Sequence, residues 1–243
     1  MVKLIVITSV YNSEKYIKEF FKSVALQTYK DFEIAVELVK PSSKEIKLFQ
    51  KAQKKFHCLN LNYYEEKISL PKAWNEAIKR TKSQLICIWN VDDMRTPESL
   101  SKMVDIFDSN NEVDFVYGNY TVINKFRSKK GSFKDESGRE HELKTAMILG
   151  PFFMFKRSVL EKIGYFDEQL LSGADYDFAM RLGRYCHGKH IDFNLGYYLN
   201  ERSGLSTKKN SLQEIERTVV EIRYGLDPIN KSLIEKAKKE YKI

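Results

Sequence analysis

Two short stretches of this chain carry carboxylates where acids do chemistry. In Trp89-Asn90-Val91-Asp92-Asp93, two adjacent aspartates directly follow the very apolar run Leu85 to Trp89. Acids at the carboxyl end of a buried strand suit a hard cation such as Mg²⁺ or Mn²⁺, which prefers oxygen ligands and is commonly held by one or two carboxylates plus the oxygens of a substrate diphosphate. Acids ahead of Pro97 equally suit a turn that leads into a helix, so the pair alone leaves both readings open. In Ser172-Gly173-Ala174-Asp175-Tyr176-Asp177, a glycine-containing turn delivers two more acids to the start of a helix. Helix N-termini favour negative charge, and capping accounts for one of the two. A second carboxylate, facing a cleft, suits a general base.

Other reactive residue types offer less. His57, His141, His187 and His190 show no HExxH or other metal spacing and read as structural or exposed, with His187 worth watching because it follows the Asp175 helix. Cys58, Cys87 and Cys186 are odd in number, far apart and without a CxxC, which points to free thiols in a reducing compartment.

The elements that must position these acids alternate in type. Lys3 to Ser9 is a β-branched run suited to a buried strand, and it ends in the polar segment Tyr11-Asn12-Ser13. In the helix that follows, Tyr16, Phe20 and Val24, and likewise Ile17, Phe21 and Ala25, recur at i+4. Strands are then expected at Phe32–Leu38, Leu59–Tyr64 and Leu85–Trp89, with helices at Ser43–Phe56 and Pro71–Thr81. This alternation predicts an α/β fold: a Rossmann-like, mainly parallel central sheet with right-handed crossovers, flanked by helices. Ligands gather at the carboxyl ends of such strands, so the loops after Ser9, Leu38 and Trp89 are expected to share one crevice.

Beyond Asp93, a helix is expected from Pro97 to Asp108, a strand at Phe115–Tyr120, and a polar, charged loop or lid from Lys125 to Gly138. Phe152–Phe155, a helix at Arg157–Ile163, the Asp175 helix, and short strands at His190–Phe193 and Gly196–Leu199 complete the body. From Leu212 the chain reads as an amphipathic helical tail.

The 243 residues are 42% hydrophobic and 30% charged, an ordinary globular balance. No run approaches the ~20 apolar residues of a membrane span, and Leu4 to Val10 is too short for a secretory core, so a soluble, unexported protein is expected. The formal charge of +8 suits nucleic acid, anionic lipid or phosphorylated substrates, but the lysines interleave with acids as on solvated helix faces. A nucleic-acid groove lined by Asp92, Asp93, Asp175 and Asp177 would be at odds with its ligand, and no nucleic-acid partner is expected.

In order along residues 3 to 200, the chain resembles the GT-A fold glycosyltransferases of family 2. Ile7-Thr8-Ser9-Val10-Tyr11-Asn12 is similar to the family's opening strand and loop, and Ser23 to Tyr29 with Phe32-Glu33-Ile34 to its Ser-x-x-x-Gln-Thr segment and second strand. Ala73-Trp74-Asn75 resembles its Ala-x-Asn helix, and Asn90-Val91-Asp92-Asp93 falls at its Asp-x-Asp motif. Gly164-Tyr165-Phe166-Asp167-Glu168 with Ala174 to Asp177 matches its later acidic segment.

The resemblance implies an inverting transferase that moves one sugar from a nucleotide-diphosphate donor, with a UDP-sugar favoured over GDP- or dTDP-sugars. It implies Asp92 as the ligand of Mn²⁺ or Mg²⁺ with Asp93 beside it, and Asp175 as the base. Thr8, Ser9, Tyr11 and Asn12 would line the nucleotide pocket, unless Tyr11 is only a loop anchor; Asn90 would bond the ribose; and Asn75 would either position the loop near the diphosphate or, as a buried asparagine, tie down backbone groups. Two departures stand out. Glu37 is the only acid near the second strand's end, where the family carries Asp-Asp-Gly-Ser, and Asn90 replaces the first acid of Asp-x-Asp. They keep a rival reading in play, a nucleotide-sugar-binding protein of the same fold without turnover.

The expected layout is a catalytic domain over 1–205, its nucleotide half reaching to about 93 and its acceptor half spanning 94–205, with a helical extension over 206–243. The acceptor, a glycan, glycolipid or other hydroxyl compound, is expected near Lys125 to Phe152. A cytoplasmic site is expected, with the basic tail free to touch a membrane surface or to form a homo-oligomer.

Overall fold

The computed structural model describes residues 2–200 and 211–242. Its first half is a repeated strand–helix unit: β1 (Leu4–Val10), α1 (Glu14–Leu26), β2 (Phe32–Val39), α2 (Ser43–Gln53), β3 (Leu59–Tyr64), α3 (Leu70–Arg80) and β4 (Leu85–Ile88). All four strands run parallel in the order β3-β2-β1-β4. The loops after β1, β2 and β4 therefore lie side by side along one edge of the sheet, where such folds bind ligands.

The second half adds β5 (Met94–Arg95), α4 (Ser99–Ser109), β6 (Phe115–Ile123), β7 (Ser132–Lys134), β8 (Phe153–Lys156), α5 (Val159–Ile163), α6 (Ala174–Tyr185), β9 (Gly188–Leu199), α7 (Leu212–Arg223) and α8 (Ile234–Tyr241). The sheet continues as β4-β8-β6-β9-β5, with β7 on β6. β8 is antiparallel to both β4 and β6, so β6 and its parallel partner β9 run in the same direction as β4. The sheet is thus mainly parallel, with β5, β7 and β8 reversed.

Period-2 alternation sends the strand residues to two apolar layers. Leu4, Val6, Ile34, Val36 and Leu38 pack beneath Ile17, Phe20 and Val24 of α1, Phe49 of α2 and Leu100, Met103 and Val104 of α4. Ile5, Ile7, Ile86 and Ile88 pack beneath Trp74, Ala77 and Ile78 of α3 and Phe178 and Leu182 of α6. A third cluster joins Leu170, Ala174, Tyr176 and Met180 to Ile215, Val219, Val220, Leu233 and Ala237 of the C-terminal helices. The expected division at 205 falls outside the described residues. Among those described, no helix is long and apolar enough to cross a membrane.

Two details differ from expectation. The two short strands expected at His190–Phe193 and Gly196–Leu199 are one long strand, β9. Its pairing with β6 shifts register at Gly118/Asn119 and again at Asn119/Thr121, a bulge that mimics a break in the alternation. A side chain at Gly118 would meet the Ile191 carbonyl oxygen at 2.8 Å, which explains the glycine there. The stretch expected as a polar loop, Lys125 to Gly138, contains β7, and its Glu136 is buried in an ion pair with Arg139 at 2.5 Å.

The Ser-x-x-x-Gln-Thr segment ties the halves together. Gln27 is fully buried: its amide NH₂ donates to the Ser23 and Thr96 carbonyls at 3.2 and 2.9 Å, and its oxygen accepts the Leu100 N–H at 3.2 Å. Ser23 Oγ donates to the Arg95 carbonyl and accepts the Arg95 N–H, both at 2.9 Å. Gln27→Ala strands buried partners that each cost about 1–3 kcal/mol. Denaturant unfolding should show a loss of about 3 kcal/mol, against less than about 0.5 kcal/mol for Leu26→Ala, whose side chain is exposed.

Candidate functional site

The Asn90–Asp93 turn follows β4 and is closed by the Asp93 N–H donating to the Asn90 carbonyl at 3.1 Å. Trp89 braces it from inside, its indole N–H donating to the Asp93 carbonyl at 3.0 Å. The next residues form β5, which pairs with Gly196 and Tyr197 of β9 and is gripped from α1 by Ser23 and Gln27. Arg95 is buried, with its guanidinium 5.2 Å from the Trp89 ring and 5.0 Å from the Phe152 ring, donating to Ser99 Oγ, the Cys87 sulfur and the Ile88 carbonyl. A rigid floor therefore lies under the two aspartates.

Asp93 is buried, and the hydrogen bonds it accepts are long: from the Leu199 N–H at 3.3 Å and from the Asn90 amide at 3.5 Å. Desolvation, and then the charge of Asp92, push its carboxyl well above the ordinary range, while Leu199, Arg95 and Asn90 pull the other way. Asp92 is partly buried beside it. Two crowded carboxylates, one weakly solvated by the protein, make a hard-oxygen donor set that fits a divalent cation completed by phosphate oxygens and water. Among the described residues no third acid, histidine or cysteine joins them to make a larger metal-holding group.

The end of β1 and the loop after it hold four of the expected nucleotide-pocket residues. Thr8 is fully buried, and its hydroxyl has no hydrogen-bond partner among the described residues. Ser9 is half-buried, Tyr11 and Asn12 are exposed, and Asn12 adopts the left-handed conformation at φ 51°, which asparagine tolerates well. Glu45 of α2 pins this loop: it accepts the Ser13 N–H at 2.6 Å and the Ser42 N–H at 2.8 Å, closing a capping box. The Lys67 ammonium sits 5.0 Å above the Tyr11 ring. Neither Glu45 nor Lys67 was singled out from the sequence; Ser42-x-x-Glu45 is a readable capping-box signal, whereas nothing local marks Lys67.

Two residues expected near the site, Glu37 and Asn75, are engaged by packing partners, which for Asn75 is the second of its two readings. Glu37 is fully buried, paired with Arg80 of α3, and accepts hydrogen bonds from Tyr64 at 2.7 Å and Asn62 at 3.2 Å. Glu37, Asn62 and Arg80 line a polar cavity of about 340 Å³ between β2, β3 and the end of α3. With its oxygens so engaged, Glu37 holds α3 to the sheet rather than offering a free acid to a nucleobase. Asn75 is buried and exchanges two bonds with the Phe166 backbone, at 2.9 and 3.1 Å, while also donating to Glu168 at 2.9 Å. It clamps the Gly164–Glu168 segment onto α3.

Of the two acids at the start of α6, one is committed. Asp177 pairs with Arg181 at 2.6 Å and accepts the Tyr224 hydroxyl at 3.0 Å. Asp175 is partly buried and accepts the adjacent Tyr176 N–H at 2.8 Å. Burial raises its carboxyl to about 6, with Glu216 of α7 adding to the rise and the backbone N–H groups opposing it. The end of α6 leads directly into the start of β9, which pairs with the start of β6, so α6 packs back across the sheet with its first turn toward the edge where β1, β2 and β4 end.

Comparison with known proteins settles the family. The model of glycosyl transferase family 2 matches residues 5–164. The chain belongs to that family. An uncharacterized glycosyltransferase of Methanocaldococcus jannaschii is 28% identical over 188 residues, 72% of this chain and 63% of the relative. The poly(ribitol-phosphate) beta-N-acetylglucosaminyltransferase TarS of Staphylococcus aureus is 26% identical over 213 residues, 84% of this chain and 36% of TarS. The chain spans less than two-thirds of the length of either relative. In structure it matches S. aureus TarS 1-349 in complex with UDP at a TM-score of 0.71 and 21% identity, over 99% of this chain and 72% of the other, which shows the GT-A fold. The mannosyltransferase PcManGT of Pyrobaculum calidifontis, in complex with GDP-Man and Mn²⁺, matches at 0.65 and 15% identity, over 97% and 69%.

The raised Asp175 carboxyl carries a stability cost with a definite sign. Between the ordinary value of 3.8 and about 6 the folded state binds more protons than the unfolded one, so stability falls as pH rises through that window. The full shift is worth at most ~3 kcal/mol, which partial exposure reduces to about 1–2 kcal/mol. Asp175→Asn in this family 2 chain should raise the melting temperature at pH 7.5, and thermal melts at pH 4 should show the gain gone.

Proposed function

We propose that this family 2 chain moves a single sugar, with inversion, from a nucleotide-diphosphate donor to an acceptor hydroxyl. One observation carries the reading. Asp93, directly behind the proposed metal ligand, and Asp175, at the acceptor end, are weakly hydrogen-bonded among the described residues and have raised carboxyls, whereas Glu37, Glu45 and Asp177 each have two or more well-placed partners. Perturbed carboxylates beside a ligand-binding sheet edge are a physical mark of function.

In this reading the nucleotide lies along the loop after β1, over Thr8, Ser9 and the ring of Tyr11, with Asn12 shaping the turn. A UDP-sugar is the favoured donor, because TarS, which shares the fold, has been solved with UDP and with UDP-GlcNAc. GDP- and dTDP-sugars are the alternatives. Asn90 bonds the ribose. Asp92, with Asp93 behind it, holds Mn²⁺ or Mg²⁺; when bound, such an ion offsets the charge that gathers on the departing nucleoside diphosphate. The half of the chain up to about 93 thus serves the donor and residues 94–205 serve the acceptor, a glycan, glycolipid or related hydroxyl compound.

Asp175 takes the acceptor's proton as the hydroxyl oxygen attacks the anomeric carbon from the face opposite the leaving group. That single displacement inverts the centre. A base near 6 suits this proton transfer, because it is ionised at neutral pH yet holds a proton more firmly than an ordinary carboxylate. The sign follows directly, since the active form is the carboxylate and turnover should fall as pH drops below about 6. The free thiols of Cys58, Cys87 and Cys186 suit a reducing, cytoplasmic setting.

Thermal-shift and turnover measurements with UDP-, GDP- and dTDP-sugars, each with and without Mn²⁺, test the reading. One donor should stabilise the protein more with Mn²⁺ than without and slowly release its nucleoside diphosphate. Asp92→Ala should remove the metal-dependent part, and Asp175→Asn should leave donor binding within about twofold while lowering transfer by ~10²–10⁴-fold. Donor binding without any release or transfer would favour a binding protein of the same fold.

A further inference from the structure

Burial is the main cause of the raised Asp175 carboxyl, and the acid that adds to it comes from the C-terminal helices. Glu216, on the second turn of α7, is fully buried and has no cationic partner among the described residues. Its oxygens accept the N–H groups of Leu171, Ser172 and Gly173 at 2.8, 2.6 and 2.6 Å, and the Tyr241 hydroxyl of α8 at 2.6 Å. Gly173 is the N-cap of α6 and offers no side-chain cap of its own. A side chain there would meet the Glu216 Cβ at 2.9 Å, so the glycine and the glutamate fit as a pair.

The consequence for Asp175 is electrostatic as well as steric. An aspartate in the first turn of a helix is ordinarily stabilised in its charged form by the unpaired N–H groups there. Here Glu216 takes up N–H groups at the lead-in to α6 and brings a second negative charge to the same end. The neighbouring ionic groups are matched among themselves: Asp177 with Arg181, Asp167 with Arg223, and Glu221 with Arg217. Among the described residues, Glu216 is left as the unmatched charge that acts on Asp175.

We propose that Glu216 is a positioning residue for Asp175: it fixes the Leu171–Gly173 turn and keeps the aspartate a competent base, which makes α7 and α8 part of the transfer machinery. This rests on the transferase reading for its kinetic consequence but not for its structural one. The helical extension is then a strut that delivers one buried carboxylate to the back of the site, itself held by Tyr241.

Carboxyl-carbon NMR titration of Asp175, assigned with Asp175→Asn, tests the proposal without substrate. Glu216→Gln should move the Asp175 midpoint measurably down from about 6, by part of its rise only, because burial, the larger cause, remains. In turnover it should lower kcat by ~10-fold or more at a donor KM within about twofold. Val219→Ala, a cavity in the same helix, should lower the melting temperature without either change. If Glu216→Gln does not fold, Tyr241→Phe carries the test, with kcat down about two- to fivefold at unchanged donor KM. An Asp175 midpoint unmoved in Glu216→Gln, or a wild-type kcat in Tyr241→Phe where that variant carries the test, overturns the proposal. A wild type that turns over no donor sinks the transferase reading instead, and the titration still decides the role of Glu216.

Discussion

Taking a carboxylate out of water is costly unless something replaces the water, and that cost organises this molecule. Most of its buried acids are answered in full. Glu45 takes two loop amides, Glu37 an arginine, a tyrosine and an asparagine, Asp177 an arginine and a tyrosine, and Glu216 three amides and a phenol. Asp93 and Asp175 are not. One has two long hydrogen bonds and a like charge beside it, the other the amide of its own neighbour and a like charge from across the helix interface. The satisfied acids hold elements together, and the unsatisfied ones store a tendency to take up a proton or a cation.

The scaffold around them is correspondingly stiff. The turn bearing Asp92 and Asp93 is braced by Trp89 below, by α1 through Ser23 and Gln27 behind and by the end of β9 in front. The turn before Asp175 is held by α7. A site whose acids would relax away from one another if free gains its geometry from neighbours that leave no room to do so. The position of Asn90 in this turn is telling: it contributes a hydrogen bond to Asp93 without adding a third negative charge.

Much of the first half was legible in the sequence, because a parallel strand buried on both faces reads as an unbroken apolar run and each crossover helix shows its own period. Leu4 to Val10, Phe32 to Val39 and Leu85 to Ile88 fall where the runs do. The acidic turns were legible too, as residue types in a telling place. Harder to read was anything that depends on a distant partner. Glu37 looked like a free acid at a strand end until Arg80 and Tyr64 claimed it, and Asn75 like a site residue until Phe166 did. The reversed direction of β8, the two-residue β5 and the bulge that hides the continuity of β9 leave no periodic trace, since each is set by pairing across the sheet rather than along the chain.

A crystal structure with UDP, Mn²⁺ and a non-transferable sugar donor would test the central claim most directly. The account predicts the ion on the Asp92 carboxylate, bridging to the diphosphate, with the Asp175 carboxylate across the cleft on the far side of the anomeric carbon. A nucleotide bound elsewhere, or an Asp175 side chain turned into packing and away from the sugar, would contradict it.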